Sequence, residues 1–183
     1  MEHGAENYQK YLSGDRNGLT GIVAEYRDGL ILYINGIVRD IIAAEDIAED
    51  TFLRLIVKKP SFDDRSSFRT WLYGIGRHIA YGRLRKEKPE RRCQIDDNTA
   101  DSEELEAAYI KVESNRILHS CLKRLASDKY ELIWLSYFEN MSAKDISAVT
   151  GKSETAVYKA LSRARAELKQ MLLKEGFNYV STR

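Results

Sequence analysis

Cysteine, proline, histidine and long apolar runs are all scarce in this chain of 183 residues. Its two cysteines, Cys93 and Cys121, are too few for a disulfide framework. A metal site is no better supplied, because His119 and Cys121 sit two positions apart and leave a helix by different faces. No run of about 18 apolar residues is present to span a bilayer. The opening "MEHGAENYQKYLSGD" has neither the basic start nor the apolar centre of a secretory leader. The expected compartment is the cytoplasm. Alternating β-branched runs joined by Asn-Gly or Asp-Gly turns are missing as well, which removes the signals of a sheet. There is no phosphate-cradling glycine loop, no ligand-spaced metal cluster and no evident nucleophile–base pair, so neither catalysis, a cofactor nor a small-molecule substrate is expected.

What the chain has in abundance is charge in blocks. The net charge of +1 averages over segments of opposite sign. From Lys58 to Arg92 there are eleven Lys or Arg against four Asp or Glu, a net +7. From Gln94 to Glu113 there are seven acids against one lysine, a net −6, and from Glu139 to Lys174 seven bases against four acids, a net +3. Two basic regions flank an acidic one. The acidic stretch "CQIDDNTADSEELEAAY" has no helical apolar stripe until its end and has the composition of a linker.

These features predict an all-α fold of two small helical domains joined by an acidic linker. The expected division is 1–90 for the first domain, 91–112 for the linker, 113–175 for the second domain and 176–183 for a tail. In the first domain the apolar spacing predicts helices over roughly Gly18–Val38, Ala43–Lys58 and Ser66–Lys88, with a short one before Gly14.

Pro60 and Pro89, the only prolines, bracket "SFDDRSSFRTWLYGIGRHIAYGRLRKEK". Phe68, Trp71, Leu72, Ile75 and Ile79 fall at the spacing of a buried stripe. Arg69, Tyr73, Arg77, Tyr81, Arg83, Arg85 and Lys86 lie largely off it, and a face mixing flat rings with cations points to nucleic acid. The preceding helix has an acidic face, Glu45, Asp46, Glu49 and Asp50, whose mutual repulsion a cationic partner would relieve. A solvated face near the helix N-terminus is the simpler account. Ile47, Phe52, Leu55 and Ile56 are expected to face inward.

In the second domain "SAKDISAVTGKSETAVYKALSRARAEL" has helix-turn-helix spacing: a short helix from about Ser142 to Val149, a turn at Gly151, Ser153 as N-cap, then a long helix. Val157, Leu161, Ala164, Leu168 and Leu172 form its seam. Thr155, Tyr158, Lys159, Ser162 and Arg163 point away, near a helix N-terminus that already favours phosphate. A plain helical hairpin would share the seam but has no need of those outward groups.

Four stretches together resemble the extracytoplasmic-function sigma factors of bacterial RNA polymerase: "SGDRNGLTGIVAEYRDGLILY", "AAEDIAEDTFLRL", "SFRTWLYGIGRHIAYGRLRK" and the segment from Leu122 to Leu168. The resemblance covers nearly the whole chain. It implies a non-enzymatic sigma factor whose partners are core RNA polymerase, promoter DNA and an anti-sigma factor. It implies that Asp46, Glu49, Asp50 and Phe52 bind core polymerase. Phe68, Arg69, Trp71, Tyr73, Arg77, Tyr81, Arg83, Arg85 and Lys86 would then meet the minus-10 element and hold its opened strand. Thr155, Tyr158, Lys159, Ser162, Arg163 and Arg165 would meet the minus-35 element. The chain departs from the family pattern at Gly82, where Asp is common, at His78, where Asn is common, at Ala126, where Pro is common, and in "TAVYKAL" from Thr155 to Leu161. The rival readings are a helix-turn-helix regulator that binds duplex DNA without polymerase and an adaptor whose basic surfaces bind acidic proteins.

Overall fold

The computed structural model describes residues 3–86 and 116–176, and every regular element among them is helical. The expected linker 91–112 with Cys93, Lys88, and residues 177–183 lie outside the described residues.

The N-terminal lobe comprises α1 (Gly4–Leu12), α2 (Arg16–Val38), α3 (Ile41–Lys58) and α4 (Phe68–Lys86). Side-chain caps explain where the last three start. Asp15 accepts from the Asn17 amide at 2.9 Å, Asp40 from the Ile42 and Ala43 amides at 3.0 Å, and Ser67 from the Thr70 amide at 3.1 Å. The first two move α2 and α3 two residues upstream of the expected starts, because apolar spacing does not register an aspartate cap.

The C-terminal lobe comprises α5 (Arg116–Lys123), α6 (Ser127–Ile133), which widens into a π-helical turn over Trp134–Phe138, α7 (Ala143–Thr150) and α8 (Glu154–Lys174). Ser142 and Asp145 form a reciprocal capping box at the start of α7. Gly151 ends that helix at φ +73°, a left-handed turn that suits glycine. Ser153 accepts from the Ala156 amide at 3.3 Å and opens α8. The helix-turn-helix therefore lies where the spacing predicts it.

The lobes are docked. Helix α2 packs on α6 and α4 packs on α7, and buried apolar residues of both lobes form one continuous cluster. The sequence that permits this is "LILYINGIV", positions 30–38 of α2, every residue of which is buried. A helix apolar around its whole circumference has no solvated side to offer. One flank meets the N-terminal core and the other meets α6.

Candidate nucleic-acid interface

Helix α8 carries its predicted face outward. Val157, Leu161 and Ala164 are buried and Leu168 and Leu172 partly so, while Thr155, Tyr158, Lys159, Ser162, Arg163 and Arg165 are all exposed. Tyr158 keeps 62% of its surface. The Arg165 guanidinium lies over the Tyr137 ring, 5.5 Å from its centroid, which braces the later cation while the earlier residues project.

Helix α4 corrects the sequence reading. Tyr73, expected off the apolar stripe, is 1% exposed. Its ring packs on Tyr33 at 5.1 Å and its hydroxyl is hydrogen-bonded to the Glu139 carboxylate. Burial, then the carboxylate, holds the hydroxyl well above the ordinary tyrosine range. Phe68 is buried in an aromatic cluster with Tyr8, Tyr26, Phe62 and Trp71, at centroid distances of 5.4 to 5.7 Å. Trp71 is half-buried in the same cluster.

The cations of α4 are engaged too. Arg69 donates to the Glu139 backbone carbonyl at 3.1 Å, with the carboxylates of Glu139 and Glu25 at 3.7 and 3.9 Å. Arg77 Nε donates to Glu131 at 2.6 Å and its guanidinium covers the Tyr81 ring at 4.5 Å. Arg83 pairs with Asp46 at 3.3 Å. Of the predicted minus-10 residues, Arg85 and Lys86 are exposed. The cause is that a single-helix pattern assumes one neighbour, whereas α4 packs on its own lobe and on the helix-turn-helix lobe as well.

On α3, Asp46, Glu49 and Asp50 are exposed as expected, but Phe52, predicted as a polymerase contact, is 7% exposed and belongs to the core. Ile56, expected inward, is 38% exposed, alongside Leu53 and Val57. Asp46, Asp50, Leu53 and Val57 recur at three and four positions and share one outer stripe. That stripe is acidic at one end and apolar at the other. The spacing was visible in the sequence once the acidic face was extended by two turns.

The comparisons with known proteins agree with this geometry. Sigma-70 region 2 matches residues 22–90, covering most of α2 through α4, and Sigma-70, region 4 matches residues 115–168, covering α5 to most of α8. The ECF RNA polymerase sigma factor SigW of Bacillus subtilis is 30% identical over 174 residues, spanning 87% of this chain and 91% of SigW. SigM of the same organism is 26% identical over 149 residues, spanning 80% and 90%. Among solved structures, CnrH in complex with the cytosolic domain of CnrY matches with a TM-score of 0.65 at 23% identity, over 93% of this chain and 97% of that one. The sigma factor RpoE in complex with the anti-sigma factor NepR, from Bartonella quintana, gives 0.64 at 23% identity, over 84% and 95%. At that identity the two structures speak for the fold. Region 2 and region 4 in this order mark a sigma factor, and the chain belongs to the ECF RNA polymerase sigma factors, which direct the polymerase to promoters.

Proposed function

We propose that this chain binds core polymerase through the outer stripe of α3, the minus-10 element through α4 and its surroundings, and the minus-35 element through α8. The division into a core-binding and minus-10 domain over 1–90, a linker over 91–112 and a minus-35 domain over 113–175 follows from that reading. The observation that carries it is the contrast between two outer surfaces. Helix α8 offers hydroxyls and cations near its N-terminus, as a major-groove helix does, whereas α3 offers Asp46, Glu49, Asp50, Leu53 and Val57, which suit a protein with basic and apolar groups and repel DNA.

The chain acts without catalysis, in the cytoplasm where polymerase works; among the described residues no helix is long and apolar enough to cross a membrane. An anti-sigma factor is proposed as a further partner, because RpoE of Bartonella quintana was solved with the anti-sigma factor NepR and CnrH with the cytosolic domain of CnrY.

The test is transcription from a genomic fragment library with purified core polymerase. Initiation at defined sites that needs both this chain and core supports the proposal; equally tight duplex binding without core supports a helix-turn-helix regulator instead. Reversing both charges in Asp46→Lys, Glu49→Lys is expected to abolish pull-down of core polymerase at unchanged circular dichroism. The pairs lost at such an interface cost about 2 to 5 kcal/mol, while the surface Asp46–Arg83 pair contributes about 1 kcal/mol or less to folding.

A further inference from the structure

Helix α1 lies ahead of the residues matched to region 2, 22–90, yet one of its side chains reaches the segment that joins α3 to α4. Tyr8 is 0% exposed. Its ring sits in the aromatic cluster, with centroid distances of 5.4 Å to Trp71 and 5.6 Å to Phe68, and its hydroxyl donates to the Pro60 carbonyl at 2.7 Å. Burial, then the neighbouring Tyr11, raises the hydroxyl above the ordinary tyrosine range, so it keeps this proton at neutral pH.

The joining segment needs such a restraint. Lys59 and Asp64 are left-handed, at φ +42° and +55°, without being glycine, a conformation that persists only where the surroundings impose it. Helix α1 acts at the entry: beside the bond to Pro60, the Lys59 ammonium lies over the Tyr11 ring at 5.5 Å. Further along, Phe62 meets Phe68 edge-on at 5.5 Å and Trp71 at 5.3 Å, closing on the same cluster from the loop side. Loop and ring also border a cleft of about 380 Å³, whose lining includes Arg54, Ser66, Thr70, Trp71 and His78. That volume is in the range of small-ligand sites. Trp71 thus belongs to the cluster and to the cleft, and the loop contributes Phe62 to one and Ser66 to the other.

We infer that Tyr8 is a positioning residue for minus-10 recognition: too deeply buried to touch DNA, it sets the loop through Pro60 and the cleft wall through Trp71. This rests on the assignment of α4 and its surroundings to the minus-10 element. A recognition surface discriminates only as finely as its supporting shell is held. The hydroxyl of Tyr8 therefore acts on sequence preference at a distance.

The test uses the full chain with core polymerase, on a promoter recovered from the genomic library and randomised at both elements. Tyr8→Phe keeps the ring and removes only the bond to Pro60. It is expected to lower discrimination at minus-10 positions by about threefold or more, the range of one hydrogen bond, with minus-35 preference and helix content by circular dichroism unchanged. In the free chain, amide exchange is expected to quicken over residues 61–67 and not along α1. A purely structural role would lower output on all sequences alike. Unchanged or uniformly lowered minus-10 preference in Tyr8→Phe overturns the inference. His78→Ala and Ser66→Ala, at the cleft itself, distinguish the two failures: if they shift minus-10 preference and Tyr8→Phe does not, the positioning role alone falls; if none of the three shifts it, the minus-10 assignment falls and the role of Tyr8 with it. Should Tyr8→Phe lose helix content, Phe62→Leu, which loosens the loop from the cluster and leaves α1 intact, carries the same test: flattening confined to the minus-10 element supports the inference and a uniform loss overturns it.

Discussion

Helices α4 and α8 both mix basic and aromatic residues, and both are assigned here to promoter DNA, yet they stand in opposite relations to the rest of the chain. On α8 the buried residues follow one seam and the polar residues from Thr155 to Arg163 are exposed, with Arg165 braced on Tyr137. On α4 the polar face is itself a packing surface, with Arg69, Tyr73, Arg77 and Tyr81 all bound to Glu131 or Glu139. The same composition therefore has two meanings. Exposed tyrosine and lysine on α8 are open to a partner; buried tyrosine and arginine on α4 are engaged within the chain and contribute to folding.

The largest test of that difference pairs one tyrosine from each helix. Tyr73→Ala empties a buried ring site and is expected to cost about 3 to 5 kcal/mol of stability, as aromatic truncations in cores do. Tyr158→Ala removes an exposed ring and is expected to stay within about 0.5 kcal/mol. Chemical denaturation of the two variants reads both. Equal losses would erase the contrast.

A defect of Tyr73→Ala in transcription consequently mixes folding with strand opening. Tyr81 is partly buried, so Tyr81→Ala is the cleaner probe. Its defect is expected on duplex promoters and to be partly rescued on templates already mismatched across the minus-10 element, by about 1 to 3 kcal/mol of stacking. Equal defects on both templates would speak against a role in opening.

Within α8, reading and anchoring are expected to separate. Lys159→Ala should change preference at one or two minus-35 positions by about 1 to 3 kcal/mol. Arg163→Ala should weaken all sequences alike and reduce the salt slope by about 1. Selection from a randomised minus-35 library distinguishes them, and a uniform loss in Lys159→Ala removes its base-reading role.

The smallest effect concerns Glu139, whose carboxyl is raised above the ordinary glutamate value chiefly by burial, against the opposing pull of Tyr73, Arg69 and Trp134. Between its unfolded and folded values the native state holds a proton that the unfolded state has released. Its contribution to stability is therefore full below the unfolded value and is lost as pH rises through the folded one. Melting temperatures of the parent chain and Glu139→Gln, followed upward from pH 4.5, are expected to converge or diverge in that sense, with the parent falling relative to the variant.

The legible part of this molecule was the part whose information is local. Ser142, Gly151 and Ser153 punctuate the helix-turn-helix, and an uninterrupted seam from Val157 to Leu172 orients α8, because caps, turns and a single buried stripe are written within a few residues. The fate of α4 was not, because Glu131 and Glu139 lie some fifty to seventy positions further on, across an acidic linker. Phe52 had two expected places, inward by its spacing and at polymerase by the family resemblance, and the spacing was the better guide: the side chain points off the acidic stripe into the core. The one available hint was positional. An unbroken apolar run from Leu30 to Val38 exceeds what a one-sided helix needs, and it announced a second neighbour without naming it.

That run has a consequence for tolerance to substitution. In a helix with one solvated side, positions that accept change recur with the helical period; along α8, Tyr158, Lys159, Ser162, Arg163 and Ala166 alternate in that way with Val157, Leu161 and Ala164. Along positions 30–38 of α2 there is no spare side, and even the glycine is occupied by a neighbour's ring. A scan of every substitution should therefore trace a rhythm through α8 and a plateau of intolerance through this part of α2, where a change harmless to one lobe meets the other.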